Sequence, residues 1–507
     1  MADADILIMS FKRKVGRSNP CSFSYGFFPS PSHVFRKPEF AIPYVSNSRQ
    51  RWMHGSEVRA ALKYLRGLES NGAQMFWRHK VDGEGKLQHL FWCDGESRFD
   101  YKQFGDVLAL DTTYGKSDKY LYPVVVFSGV NHHIHTTVFA SAIIADETEE
   151  TFVWLFEQFK VAMEAKSPGL VITSGDAALE NAISRVFPNA RHRLCSQVIL
   201  RNASSKVRNP KMTAQLKDLM LSDYEVSEFN SKWDEMVAQF GLEDHSWVRD
   251  MYKERKMWAT ACIRGRCFVG YKASSRCEGF YNKFGTLARS CHNLVDFLQH
   301  FHHCFDEFRF KELEADFQSG HGEEVLLTLF KPLERSASRV FTREAFRLFR
   351  TVLERAYTII VDFDCKQLST QSIYKVREYG QPRSEWRVSF SQPTLQFRCS
   401  CFGMETVGIP CAHIVKLMIF LDMVEMPISL VRKRWTKSAK EIVEGTFEEG
   451  DGTCISLEDD DEDDIGPSLE DDNEVNFSNF RRRILVISDS DESDVNDGPP
   501  YKRRAHG

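Results

Sequence analysis

The chain has 507 residues, 42% of them hydrophobic, and a formal net charge of −5. That length has room for roughly three domains with real cores, and the charge excludes a global basic field, so any nucleic-acid surface must be local. Thirteen Cys, scattered apart from one cluster and without a secreted-type framework, point to a reducing compartment.

From Met1 to Lys14 there is no long apolar core and no cleavage site, so no signal peptide is expected. No uninterrupted apolar run reaches the ~18 residues that a membrane span needs. Residues 1–50 are rich in Ser, Pro, Phe and basic residues without periodicity, and read as a disordered segment with no recognisable DNA-binding domain. Residues 55–104 read as a helix from Glu57 to Leu68 and then a hairpin. Ala73–Lys80 and Leu87–Cys93 flank its turn, Asp82-Gly83-Glu84-Gly85.

From residue 105 the pattern sharpens. Val107-Leu108-Ala109-Leu110 is a buried strand ending at Asp111. Tyr122–Val130, a turn at Asn131-His132-His133 and Ile134–Ile144 make a hairpin. Phe152, Leu155, Phe156, Phe159 and Met163 recur at helical spacing. Leu170–Thr173 is another strand, ending near Asp176, and Ala177–Phe187 a second helix. The fold class is therefore α/β: three strands, helix, strand, helix is the opening order of an RNase H-like domain, here placed at 105–360. A charged helical insertion spans about 205–265, with helices at Leu216–Leu221 and Phe229–Phe240. Residues 278–360 continue as helices, and Arg383–Phe397 returns to strand character. After Thr446 the chain becomes acidic, with seven acids in a row from Glu458 to Asp464. Residues 446–507 read as a disordered acidic tail.

The sharpest motif is Cys399-Ser400-Cys401, nine residues, then Cys411-Ala412-His413. Paired thiolates and an imidazole at this spacing suit a tetrahedral Zn²⁺ site. Gly403, Gly408 and Pro410 suit a chain that folds back between the pairs, and Ile414, Val415, Leu417 and Met418 read as a helix after His413. The plainer alternative is four buried side chains without metal. The pattern resembles the SWIM zinc finger, Cys-x-Cys…Cys-x-His, placed at 381–420.

Asp111, Asp176 and Glu278 are the acids to test for chemistry. Converging at one edge of an RNase H-like sheet, they could hold two Mg²⁺ or Mn²⁺ ions and activate a water or a 3′-hydroxyl against a phosphodiester. Each has a duller role: Asp176 as a helix N-cap, Glu278 closing a capping box begun by Ser275, Asp111 ending a strand.

Residues from about 55 to 445 resemble the far-red-impaired-response family of plant regulators, which descends from Mutator-like (MULE) transposases. The matching stretches are FGDVLALDTTYGKSDKYLYPVVVFSGVNHH, ADETEETFVWLFEQF, VFPNARHRLC and KRWTKSAK. The resemblance implies a transposase-derived RNase H-like domain, a SWIM finger, a nuclear location and a role in transcription, with Asp111, Asp176 and Glu278 at the family's acidic positions. Two departures stand out. The usual Thr-Asp-x-Asp is Thr173-Ser174-Gly175-Asp176, and the transposase Cys-x-x-His is Cys195-Ser196-Gln197-Val198, which loses a His. His192 and Cys195 are expected as packing or hydrogen-bonding residues. The first fifty residues carry only Cys21 and His33, so the family's N-terminal zinc-bound DNA-binding domain is expected to be missing.

Three basic clusters, Lys12-Arg13-Lys14, Arg481-Arg482-Arg483 and Lys502-Arg503-Arg504, read as nuclear import signals or as solvated surface. Arg432-Lys433-Arg434-Trp435 could touch phosphates or a base, or simply pack Trp435. Ile484–Ile487 followed by Ser488-Asp489-Ser490 resembles a SUMO-interacting motif, a short apolar run that adds to a partner's sheet edge; it is otherwise a chance cluster. Three functions follow as expectations: a nuclear transcription regulator on a retired transposase scaffold, reaching DNA or chromatin directly or through a partner, with light-responsive development as its setting; an active transposase cutting DNA through the three acids; and a zinc-finger adaptor acting as a homodimer or as a heterodimer with family members.

Overall fold

The computed structural model describes residues 55–70, 74–114, 123–222, 224–263, 293–322, 324–367 and 371–441. Glu278, the first fifty residues, the acidic tail, the basic clusters at 12–14, 481–483 and 502–504, and Ile484–Ile487 lie outside the described residues.

Helix α1 (Gly55–Leu68) buries Val58, Ala61 and Leu65 along one stripe, the spacing that a single helix face requires. The hairpin β1 (Phe76–Val81) and β2 (Leu87–Cys93) follows. Helix α2 (Gly95–Phe104) starts at Asp94, whose side chain accepts from the Ser97 amide. Strands β3 (Val107–Tyr114), β4 (Pro123–Val130) and β5 (Thr136–Ile143) form an antiparallel meander. Helix α3 (Glu149–Ala162) is capped by Thr148 and carries Glu149 and Glu150 in its first turn, where the helix dipole favours acids. Then come β6 (Leu170–Thr173), α4 (Ala177–Val186) and β7 (Arg191–Leu194).

The seven strands form one sheet in the order β1-β2-β5-β4-β3-β6-β7. β6 runs parallel to β3, and β7 parallel to β6. Every residue of β4 and β5 is buried, because helices cover both faces. The two-residue pleat sorts the side chains. Leu108, Leu110, Val125 and Phe127 meet the apolar faces of α2, α3 and α4, and Phe127 stacks on Phe159 with ring centres 4.5 Å apart. Each such buried Phe contributes roughly 1.5–3 kcal/mol. On the opposite face Leu90, Trp92, Val124 and Val126 meet α1 and the long helix α9 (Leu294–His321).

Between them lie α5 (Ser196–Lys206), α6 (Pro210–Leu221), α7 (Val226–Phe240) and α8 (Ser246–Lys253). These close over their own core of Leu216, Met220, Phe229, Trp233 and Trp258. After α9, α10 (Lys331–Val340) and α11 (Arg343–Arg355) lead to a second, antiparallel sheet in the order β11-β10-β9-β8. Its strands are β8 (Ile359–Gln367), β9 (Ser372–Glu378), β10 (Gln381–Ser391) and β11 (Gln396–Cys399). The short helix α12 (Gly403–Val407) and α13 (Ala412–Phe420) complete the described residues, apart from short 3-10 turns.

Several elements differ from the sequence reading. β3 continues past Asp111 to Tyr114, because β4 keeps pairing with it through Pro123. The small sheet begins at Ile359, upstream of Arg383. β7 reads Arg-His-Arg-Leu and carries no strand signal of its own; only the open edge of β6 makes it a strand. Among the described residues no helix is long and apolar enough to cross a membrane.

Candidate metal centre

β11 delivers Cys399 to the end of the small sheet, held by pairing with Val388 of β10. Ser400 then ties the next turn to the same strand: its amide donates to the Arg387 carbonyl at 2.9 Å, and its hydroxyl accepts from the Arg387 amide at 3.0 Å. Phe402 sits at a positive φ of 53° and reverses the chain. α12 carries it away, Gly408 (φ 77°) turns it again, and Pro410 brings it to Cys411. Cys411 occupies the N-cap of α13 but makes no capping hydrogen bond. His413 stands in the first turn of the same helix.

The four side chains converge. The sulfurs of Cys399, Cys401 and Cys411 and one nitrogen of His413 all lie within 4.8 Å of one another. Cys399 Sγ is 3.6 Å from His413 Nδ1. Bond lengths of about 2.3 Å to S and about 2.0–2.1 Å to N, in tetrahedral geometry, put neighbouring S and N ligands about 3.5–3.6 Å apart. The donor set therefore fits a tetrahedral ion, with Nδ1 as the nitrogen ligand. The Cys401 amide points at Cys399 Sγ at 3.5 Å and the Gly403 amide at Cys401 Sγ at 3.4 Å, and such N–H groups stabilise thiolates. Trp386 stacks on the imidazole, ring centres 4.1 Å apart.

The three sulfurs act on one another. Hydrogen bonds from Cys399 and Cys411 hold Cys401 well below the ordinary thiol range. The bond to Cys401 pushes Cys399 up, and burial pushes Cys411 up. The three sulfurs are thus pushed in opposite directions, Cys401 toward thiolate and Cys399 and Cys411 toward thiol. A cation at the centre would release the thiol protons, since metal ligands bind deprotonated.

The acids are placed as follows. Asp111 is an exposed residue of β3 and Asp176 an exposed residue just beyond β6. The two strands are parallel neighbours, with Ala109 beside Ile172, so both acids leave the same end of the sheet. Asp176 is the N-cap of α4, accepting from the Ala178 amide at 2.9 Å. Glu278 lies outside the described residues. The His192 ring shares a 2.6 Å hydrogen bond with Thr173, and Cys195 is buried. Trp435 is buried with its indole N–H on the Val407 carbonyl, and Arg434 bonds Asp106 and the Val130 carbonyl. That motif packs, rather than offering Trp435 to a base.

Residues 107–202, from β3 into α5, match the MULE transposase domain family. The chain is 30% identical over 407 residues to Protein FAR1-RELATED SEQUENCE 5 of Arabidopsis thaliana, covering 79% of this chain and 51% of that protein. It is 29% identical over 405 residues to FAR1-RELATED SEQUENCE 9, covering 78% and 72%, and 26% identical over 402 residues to FAR-RED IMPAIRED RESPONSE 1, covering 78% and 48%, both also from Arabidopsis thaliana. Residues 107–202 are thus similar to a MULE transposase domain, and the chain is similar to FAR1-related proteins over most of its length. It spans about half the length of the first of these relatives. The resemblance read from its motifs is thus borne out.

Among the described residues a second group of three potential metal ligands is His132, His133 and Asp316. The sequence reading took Asn131-His132-His133 only as a turn. Two adjacent His are a weak signal, and the third residue lies on a helix far along the chain.

Proposed function

We propose that this chain is a nuclear transcription regulator built on a MULE transposase scaffold that no longer cuts DNA. Its RNase H-like character is supported by three antiparallel strands followed by two parallel strands that alternate with helices. In this reading Cys399, Cys401, Cys411 and His413 hold a structural Zn²⁺, which ties β11 to α13 and leaves no coordination position open for chemistry. The observation that carries the reading is homology to FAR1-related proteins over almost four fifths of the chain. It is joined by Val198 at the position where a transposase carries His. The name of one relative, far-red impaired response, is the basis for placing the role in light-responsive development. DNA or chromatin is reached directly or through a homodimer or a heterodimer with a relative, and Ile484–Ile487 offers a strand to SUMO.

The test is a reporter assay in plant nuclei, with the chain fused to an unrelated DNA-binding domain. The Asp111→Ala/Asp176→Ala variant runs alongside. A reporter change that survives the double substitution supports the reading. No change, or one that needs both acids, overturns it.

One observation favours a second reading, an active transposase: Asp111 and Asp176 leave the same end of adjacent parallel strands. Mg²⁺-dependent strand cleavage that disappears in Asp176→Ala would establish it.

A further inference from the structure

The turn between β4 and β5 is built to hold two imidazoles still. Asn131 Oδ1 accepts from the His133 amide at 3.1 Å and from the His135 amide at 2.9 Å. The His132 carbonyl accepts from Thr342 Oγ1 at 2.7 Å. Phe104 stacks on the His132 ring, centres 5.5 Å apart and planes within 5°. Both His side chains are buried to within 2% of full burial. Their Nε2 atoms point at one oxygen: His132 Nε2 and His133 Nε2 each lie 2.7 Å from Asp316 Oδ1, on α9.

As a hydrogen-bonded cluster this arrangement is poorly satisfied. An ionised carboxylate only accepts, so both Nε2 atoms must carry the proton. In neutral rings each Nδ1 is then a buried acceptor, and neither Nδ1 has a hydrogen-bond partner. Buried polar atoms are seldom left so. If the rings instead present Nε2 lone pairs to a cation, Nδ1–H of His132 faces Glu312 Oε1 at 3.8 Å. That is beyond hydrogen-bond reach, but it places a carboxylate on the side of the ring where metal-bound His usually have one.

We propose that His132, His133 and Asp316 form a second metal site, for a divalent ion of the Zn²⁺ class, with three protein ligands and one position open to solvent. The three ligand atoms already lie within 4.8 Å of one another. Tetrahedral N and O ligands sit about 3.4 Å apart, so Asp316 has to withdraw by about 0.7 Å. Its side chain is 39% exposed and free to do so. The open position faces a cleft of about 280 Å³ lined also by Ser319, Lys437 and Lys440. Lys440 does not repel an ion strongly there, because it is paired with Asp100 at 2.7 Å and Glu312 at 2.5 Å. His₂-carboxylate sets suit zinc and its neighbours rather than Mg²⁺ or Ca²⁺, which prefer all-oxygen shells. The site shares no ligand with the Cys cluster.

The experiment counts zinc equivalents bound by the metal-freed full chain after Zn²⁺ addition and gel filtration. Asp316→Ala, His133→Asn and Cys411→Ala are compared with the wild type, with circular dichroism to check folding. The expected result is two equivalents in the wild type and loss of one in Asp316→Ala and in His133→Asn. Affinity for that equivalent should fall by more than the roughly 10–100-fold that losing an outer partner costs. Cys411→Ala should lose the other equivalent, and its Co²⁺ form should show visible d–d absorption without a thiolate charge-transfer band. Asp316 is a partly exposed helix residue, so its variant reports even if His133→Asn misfolds. A wild type that binds only one equivalent, or an Asp316→Ala protein that binds as many as the wild type at equal affinity, overturns the proposal.

Discussion

Gly403 has no room for a side chain. A Cβ there would sit 2.8 Å from Cys411 Cβ and 3.5 Å from Cys401 Sγ. Gly403→Ala should therefore cost about 1–3 kcal/mol, the usual cost of overpacking, and should weaken metal binding at the Cys cluster in a chelator competition. Cys411→Ala acts more directly. It should remove one bound equivalent and speed amide exchange across 395–420, because ligand loss uncouples β11 from α13. Unchanged metal content in that variant would sink the assignment of Cys411 as a ligand. The Cys spacing was readable from the sequence because each pair sits on one local turn. The ligand atom of His413 was not, since only the 3.6 Å approach to Cys399 singles out Nδ1.

Helix α13 shows how an element binds the small sheet to the large one. Ile414, Val415, Leu417 and Met418 are all fully buried, against α11 and in one continuous core with Val107, Ala109, Leu170 and Ile172 of β3 and β6. Leu417→Ala should cost about 2–5 kcal/mol in denaturant unfolding, with the midpoint shifted for both sheets together. Helix α2 depends on its cap. Asp94 Oδ1 accepts from the Ser97 amide at 2.8 Å and from Arg309 of α9 at 2.7 Å. Burial alone would raise the Asp94 carboxyl, but the Arg309 bond and charge outweigh it and hold it below the usual aspartate range. A depressed carboxylate stabilises the fold above its unfolded value and loses that contribution as pH falls through the lower folded value. Stability should therefore drop on acidification below about pH 4. In Asp94→Asn, which loses about 1–3 kcal/mol at neutral pH, that part of the acid dependence should flatten. Equal acid slopes for the two proteins in urea titrations would contradict it. The helix itself was missed in the sequence reading, because Gly-Glu-Ser-Arg-Phe-Asp carries little apolar periodicity and its order comes from the cap and from α9.

Across the whole molecule the described residues hold two kinds of core. The cores built on the sheets, one of which takes in the Cys cluster, contrast with α5–α8, which enclose a satellite core centred on Trp233 and Trp258. Trp258→Ala should remove about 3–5 kcal/mol there. Hydrogen exchange should show residues 196–263 opening first, with metal at Cys399, Cys401, Cys411 and His413 retained. Loss of that metal in the same variant would show that the satellite and the sheets unfold as one unit.

What the sequence determined by itself is whatever is written in local spacing. The alternating and continuous apolar runs read as β3, β4, β5 and β6, the 3.6-residue stripe as α3, and the Cys pairs as a metal motif, because each signal is complete within about fifteen residues. The long motif matches likewise identified the MULE relationship. Tertiary structure decided what depends on distant partners. β7 exists because β6 leaves an edge to pair, and Trp435 packs because Val407 offers a carbonyl. The rings of His132 and His133 meet Asp316 only because α9 returns to the β4–β5 turn after 184 residues. Spacing along a chain carries no record of such meetings, since folding sets them by burying the apolar faces of elements far apart in sequence.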